Sequence, residues 1–186
     1  MHKEGHRGIG LIILAAICYA LLPERPILAA LLSGFMFIQE LPDKDQGISF
    51  LEHRGVSHSF LSIVFLGIIC AGVGWAVGTF FFPPIASGLA TMSSAGTPAS
   101  WWGTRLATYD AQTMTFIGFA VGAGGIASHL LGDIITPWGL KPFLPFSKRS
   151  YRIARIPADS TYANYGLLIL GFLAFGASIA AITGFL

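Results

Sequence analysis

Charge is what this sequence lacks. Asp, Glu, Lys and Arg make up 11% of its 186 residues, against about 25% in a typical soluble domain. Eleven basic and nine acidic side chains cannot cover a globule of this size. That excludes an ordinary soluble enzyme, a disordered chain and a nucleic-acid binder. The net charge of +2 is too small to call for a polyanionic partner. Cysteine is scarce too. Cys18 and Cys70 each sit inside an apolar run, so there is neither a disulfide framework nor a CxxC metal site, and neither residue reports a redox compartment. What is abundant is apolar: 54% of the residues, with 23 glycines and a mean hydropathy of +0.69. This is the composition of a membrane protein.

A helix needs about 20 apolar residues to cross a bilayer. Leu61 to Phe82 is 22 residues without a charge, stopping at Pro83-Pro84, and Tyr165 to Leu186 is another 22. Thr113 to Leu131 is apolar except for His129. Gly8–Leu22 and Ile27–Ile38 are shorter runs split by Pro23-Glu24-Arg25-Pro26. They read as a hairpin of two short or tilted helices, with a re-entrant pair as the alternative. No small-residue cleavage site precedes Pro23, so the N-terminal run does not read as a signal peptide. The expectation is an all-α, polytopic helical bundle of about five membrane helices, one integral domain over residues 1–186. Residues 83–112 would form a flexible outer loop carrying Trp101-Trp102 as an interfacial anchor, and residues 132–164 a cytoplasmic loop.

Nine of the eleven Lys and Arg residues fall in the N-terminal tail, in 39–60 and in 132–164; only Arg25 and Arg105 fall in the other connections. By the positive-inside bias, the nine mark the cytoplasmic side, with the N-terminus in and the C-terminus out of an inner membrane. Gly74/Gly78 and Gly118/Gly122 have the small-xxx-small spacing that lets helices approach closely. Packing within one bundle is the preferred reading, and the same spacing would also serve a homodimer face.

Polar residues near a membrane core are expensive, on the order of 3 kcal/mol for an Asp at a helix centre. Here they gather in four stretches: Gly5-His6-Arg7-Gly8, Leu41-Pro42-Asp43-Lys44-Asp45, His53-Arg54-Gly55-Val56-Ser57-His58-Ser59 and His129-Leu130-Leu131-Gly132-Asp133. With five spans all four lie at cytoplasmic helix ends. His129 and Asp133, four apart on a helix, share a face. Asp43 and Asp45, two apart in an extended segment, would point to one side. His53 and His58 suit a turn entering the next helix. Imidazole with carboxylate suits zinc, manganese or iron better than calcium, and this many donors exceed one tetrahedral ion, so two or more divalent ions are expected. The metal-ligand candidates are His6, Asp43, His53, His58, His129 and Asp133. Asp45 is a ligand or the acid that orients a ligand histidine. Glu52, with Glu40, is a candidate base. Arg54 is the candidate phosphate contact and catalytic cation, and Ser57 and Lys148 are candidate substrate contacts. The basic run Lys148, Arg149, Arg152 and Arg155 reads mainly as a headgroup-facing surface. A serine nucleophile at Ser57 or Ser59 beside His58 is rejected, because no strand-turn-helix elbow surrounds it.

These residues resemble the YdjM-like group of prokaryotic inner-membrane metal-dependent hydrolases. The matching elements are His6, Pro42 to Asp45, His53 to Ser59, His129 to Asp133, Thr136 to Gly139 and Pro145 to Ser147, over roughly residues 1–150. Ser57 stands where the family usually has Thr, and Gly5 where Thr usually precedes the first His. The resemblance implies a metal-dependent membrane hydrolase with a distant likeness to zinc phospholipase C and single-strand nucleases. Together the residues and the resemblance lead to an expectation of phosphoester hydrolysis in a phospholipid or polyprenyl phosphate, with membrane lipids as partners and no nucleic acid. A metal-ion or small-solute transporter using the same cluster is the alternative, although no charged line crosses the spans. An intramembrane metalloprotease would usually show His-Glu-x-x-His, which is absent.

Overall fold

A computed structural model describes residues 1–47, 55–92 and 96–185. Eight α-helices run in the order α1 (Lys3–Leu21), α2 (Pro26–Leu32), α3 (Phe35–Ile38), α4 (Phe60–Phe80), α5 (Phe82–Thr91), α6 (Pro98–Leu106), α7 (Ala111–Ile134) and α8 (Thr161–Thr183). Short 3-10 turns occupy Pro42–Gly47 and Val56–His58. Among the described residues the only β pairing is a single bridge, Leu140 to Tyr151. The bundle is all-α, as expected.

Among the described residues, four helical stretches are long and apolar enough to cross a membrane: α1, α4 running on into α5, α7 and α8. The expected fifth pass is the short α2–α3 segment. Pro26 opens α2 at its first turn, where a missing N–H costs nothing. The Ser33-Gly34 pair then breaks the helix, a usual site of sharp kinks. This segment returns from the turn after α1 to Gln39, which packs against Gly10 of α1 and bonds Ser128 of α7.

Two boundaries differ from the sequence reading. The first helix starts at Lys3 rather than Gly8, so His6 and Arg7 lie within it and not in a preceding tail. The stretch 83–112 is not a flexible loop but holds α5 and α6, packed on each other, with Gly103 against the Ala86 carbonyl. Pro83-Pro84 ends α4 and at the same time occupies the first turn of α5, the place where proline favours a helix. Thr97 caps α6 through the Ser100 N–H, with Pro98 at its first turn. Trp101 and Trp102 are exposed on α6, and the Arg105 guanidinium lies 4.6 Å from the Trp101 ring centroid.

The helices pack through small residues and turn large ones outward. α4 buries Ser62, Gly67, Gly74 and Gly78 while Phe65, Ile68 and Trp75 stand exposed. α8 buries Asn164, Gly171 and Ser178 and exposes Ile169, Phe172 and Leu173. In water this would be inverted. In lipid, the tails solvate large apolar side chains and close backbone contact supplies the attraction. The α4 and α7 glycines meet each other's backbones in antiparallel register: Gly74 faces the Met114 carbonyl, Gly118 that of Cys70, Gly122 that of Leu66 and Gly78 that of Asp110. The spacing read from the sequence is thus used within the chain. α1 and α8 pack in parallel, with Gly5 against Asn164, Gly8 against the Leu167 backbone and Gly171 against the Gly8 carbonyl.

The connection from α7 to α8 is pinned to the bundle. Leu140 and Tyr151 exchange backbone hydrogen bonds of 2.8 and 2.7 Å, and Ile153 and Ile156 donate to the carbonyls of Ile134 and Ile135. Phe60 donates its N–H to the Pro142 carbonyl at 2.8 Å, which ties the start of α4 to this loop just beyond His58.

Adding a side chain at Gly118 of α7 would drive a Cβ into the Cys70 carbonyl, whereas a Cβ at Gly72 of α4 meets nothing within 4 Å. Gly118→Leu is therefore expected to destabilise the folded protein by ~1–3 kcal/mol, and Gly72→Leu to leave it unchanged. Unfolding transitions in detergent, followed by circular dichroism, measure both.

Candidate metal centre

Two helices and two turns bring six of the sequence candidates to one end of the bundle. α1 supplies His6, and the last turns of α7 supply His129 and Asp133. The turn at Pro42–Gly47 supplies Asp43 and Asp45, and the turn before α4 supplies His58. His6, His58, His129 and Asp133 are no more than 2% exposed and Asp45 is 4%. The Asp43 side chain, at 32%, is where the cluster opens to its surroundings.

Two triangles of donor atoms share one edge. The Nε2 atoms of His58 and His129 are 3.2 Å apart. Asp43 Oδ1 lies 3.6 Å from each of them, and Asp133 Oδ2 lies 3.4 and 3.5 Å from them. A tetrahedral ion with bonds of about 2.0–2.2 Å holds its donors about 3.3–3.6 Å apart, so these are the separations of atoms in one coordination shell. Two imidazole nitrogens facing each other at 3.2 Å also need a proton or cation between them, since two lone pairs repel.

The second Asp133 oxygen faces elsewhere. Oδ1 is 3.7 Å from His6 Nε2 and 3.0 Å from the Met1 amino nitrogen. The His6 ring stacks on His129 at a centroid distance of 3.9 Å and an interplanar angle of 9°. Both His6 nitrogens and His129 Nδ1 are buried without a hydrogen-bond partner among the described residues, which is costly for polar atoms. His6, His129 and Asp133 form a second group with metal-compatible spacing beside that of Asp43, His58 and His129. The donor set, imidazole with carboxylate, fits a borderline transition metal.

Asp45 stands behind His58. The Ser57 hydroxyl donates to Asp45 Oδ2 at 2.5 Å and lies 3.0 Å from His58 Nδ1, which is itself 3.4 Å from Asp45 Oδ2. The Nδ1 side of the ring is therefore engaged by Asp45 and Ser57, and the Nε2 lone pair is left to point into the cluster. This is how a carboxylate sets the tautomer of a ligand histidine. The same geometry speaks against a serine nucleophile, because hydroxyl and carboxylate crowd one ring nitrogen where a triad needs one on each. The two aspartates lie on a 3-10 turn, not the extended segment expected, and they reach His58 from its two different nitrogens. Burial alone would raise the Asp43 carboxyl, but the hydrogen bond with His58 and the imidazoles of His129 and His6 hold it below its usual range.

Other candidates sit apart. Glu52, His53 and Arg54 lie outside the described residues. Lys148 is exposed on the α7–α8 connection and is not among the residues the cluster gathers. Glu40 pairs with Arg7 at 2.6 Å. Three supporting residues escaped sequence reasoning. Gln39 is wholly buried between α1 and α7, accepting from Ser128, the neighbour of His129, at 3.3 Å; its signal was a lone amide ending an apolar run. Asn164 accepts from the His2 N–H and donates to the Ala158 and Ser160 carbonyls, holding the start of α1 to that of α8. Gly132 lies under His6, where a Cβ would strike its Nδ1, so only glycine lets that ring reach Asp133.

The YdjM inner membrane protein family matches this chain over residues 1–186. The chain belongs to that family. No curated protein and no solved structure matches it.

Purified protein is expected to carry a tightly bound transition metal. His129→Ala, which breaks both donor groups, should remove most of it, while Asp45→Asn should keep the stoichiometry but weaken affinity about 10–100-fold. Inductively coupled plasma mass spectrometry with competition by a chelator of known affinity measures both. Unchanged content in His129→Ala would make the cluster a hydrogen-bonded core.

Proposed function

We propose that the protein is a metal-dependent phosphoester hydrolase working at the membrane face, with zinc as the favoured ion and manganese or iron as alternatives. The observation that carries this reading is the pair of donor triangles around His58 and His129, in which one member, Asp43, is open to the surroundings. Divalent ions held there would act as Lewis acids on phosphoryl oxygens and lower the pKa of a water. His58, His129, Asp43 and Asp133 would hold such ions in place. Asp45 keeps the His58 lone pair turned inward. The apolar packing below His129 excludes bulk water and so strengthens every electrostatic contact inside. Arg54 and Lys148 remain the proposed substrate contacts and Glu52 the proposed base, while the Ser57 hydroxyl is committed to Asp45 and His58 on the side of the ring turned away from the cluster. The substrate class is a phospholipid or polyprenyl phosphate, because the site stands at the end of an apolar bundle, where lipid headgroups would meet it.

We also propose that the cluster end faces the cytoplasm. α1 and α8 both start at that end, α1 carrying His6 and α8 tied to it through Asn164. Eight of the nine basic residues of the tail and connections are described and belong to the same end, while Arg105 reaches the Glu24 carbonyl at the other. A reporter fused after Leu186 should then be active only outside the cytoplasm. A cytoplasmic signal would reverse the assignment.

The reaction is tested on a panel of lipid phosphoesters in liposomes, with phosphate and headgroup release both followed. Chelation should abolish turnover and added metal restore it. Asp133→Ala should lower kcat by two orders of magnitude or more. Hydrolysis that survives complete metal removal, or that occurs only on substrates without phosphorus, would overturn the reading. Metal flux without hydrolysis would establish the transport alternative.

A further inference from the structure

We propose that the cleft between α1, α3 and α8 is the binding site for one phosphate-bearing membrane lipid, with its phosphate at Arg7 and Lys44 and an acyl chain along Phe37, Leu168 and Phe172. The cleft has a volume of about 510 Å³, inside the range of about 300–1,000 Å³ usual for small-molecule sites. It is amphipathic along its length. Arg7, Glu40 and Lys44 stand at one end and the apolar wall at the other, with the buried Gln39 as part of the lining.

Three observations select the occupant. First, the wall is open sideways: Phe37 is 84% and Phe172 60% exposed, on helices that otherwise present large apolar residues outward, so the cleft opens to the hydrocarbon and not to water. Second, the lining carries two cations and one carboxylate, with Glu4 also close enough to act on Arg7, so the rim offers two cationic donors at headgroup depth, where cations draw anionic lipid. Arg7 meets Glu40 through Nε, and a guanidinium has five donors, in a fork that matches phosphate. Third, Lys44 follows Asp43, which among the described ligand candidates is the one partly exposed to the surroundings. A phosphate at this rim therefore lies on the open side of the cluster. The apolar groove on the far side, between α4, α7 and the Leu140–Tyr151 loop, lacks this combination: polar side chains are absent from its lining apart from Tyr151.

The inference rests on the phosphoester reading for its purpose, but the binding is measured without turnover. The full chain in phosphatidylcholine nanodiscs is irradiated with phosphatidic acid carrying a diazirine on its acyl chain, and labelled peptides are mapped by mass spectrometry. Labels are expected on α3 and α8. The double variant Arg7→Gln/Lys44→Gln should lower labelling at least fivefold, while a diacylglycerol probe of the same chain, weaker from the start, should be unaffected. Leu168→Trp, which leaves the rim intact, should block both probes. Excess unlabelled phosphatidic acid should compete, and inorganic phosphate at the same concentration should not. Labelling centred on the far groove, or equal labelling by the two probes, would overturn the cleft assignment even if the protein hydrolyses phosphoesters. Labelling as expected, with no hydrolysis of any phosphoester, would uphold the cleft and overturn the catalytic reading alone.

Discussion

Everything at the working end of this bundle depends on Asp133 being surrounded by imidazoles. A carboxylate that is 2% exposed in an apolar bundle is tolerated only if positive charge or hydrogen-bond donors meet both of its oxygens. Here one oxygen faces His58 and His129 and the other faces His6 and the Met1 amino group. These groups come from three segments, the N-terminal segment with α1, α7 itself and the turn before α4, so satisfying one side chain holds the three in one arrangement. The tertiary structure and the site are in this sense one problem.

Glycine is what makes that arrangement reachable. Gly132 clears room for His6, and Gly5 and Gly8 let α1 lie against α8. Gly74, Gly78, Gly118 and Gly122 bring α4 and α7 into backbone contact, which places the turn bearing His58 beside the end of α7 bearing His129. Helices that pack through small residues do not rely on water to drive them together. The large side chains are then free to face lipid, and the polar cluster can occupy the interior end without competing with an aliphatic core.

The catalytic proposal follows from geometry. Donors spaced 3.2–3.6 Å apart, a carboxylate behind one imidazole and one partly exposed ligand candidate are the arrangement that holds an ion and leaves a side of it approachable. The amphipathic cleft beside that opening adds a direction of approach from the bilayer.

Much of this was legible in the chain itself. Scarce charge and long apolar runs determine a membrane bundle because the bilayer core admits little else. The spacing of His129 and Asp133 sets them on one face of a helix, because helical periodicity is local. The polar stretches were legible as a group, since nothing structural calls for four of them at helix ends. What the sequence could not decide is what depends on distant segments meeting. That His6 belongs inside a helix follows from Asn164 and Gly132, 158 and 126 residues away along the chain. That the stretch 83–112 holds the two packed helices α5 and α6 depends on proline acting as a start as well as a stop. That Asp45 backs His58 while Asp43 faces its other nitrogen depends on a 3-10 turn meeting the start of α4. Local periodicity carries no information on such pairings; only the close packing of the helices sets them.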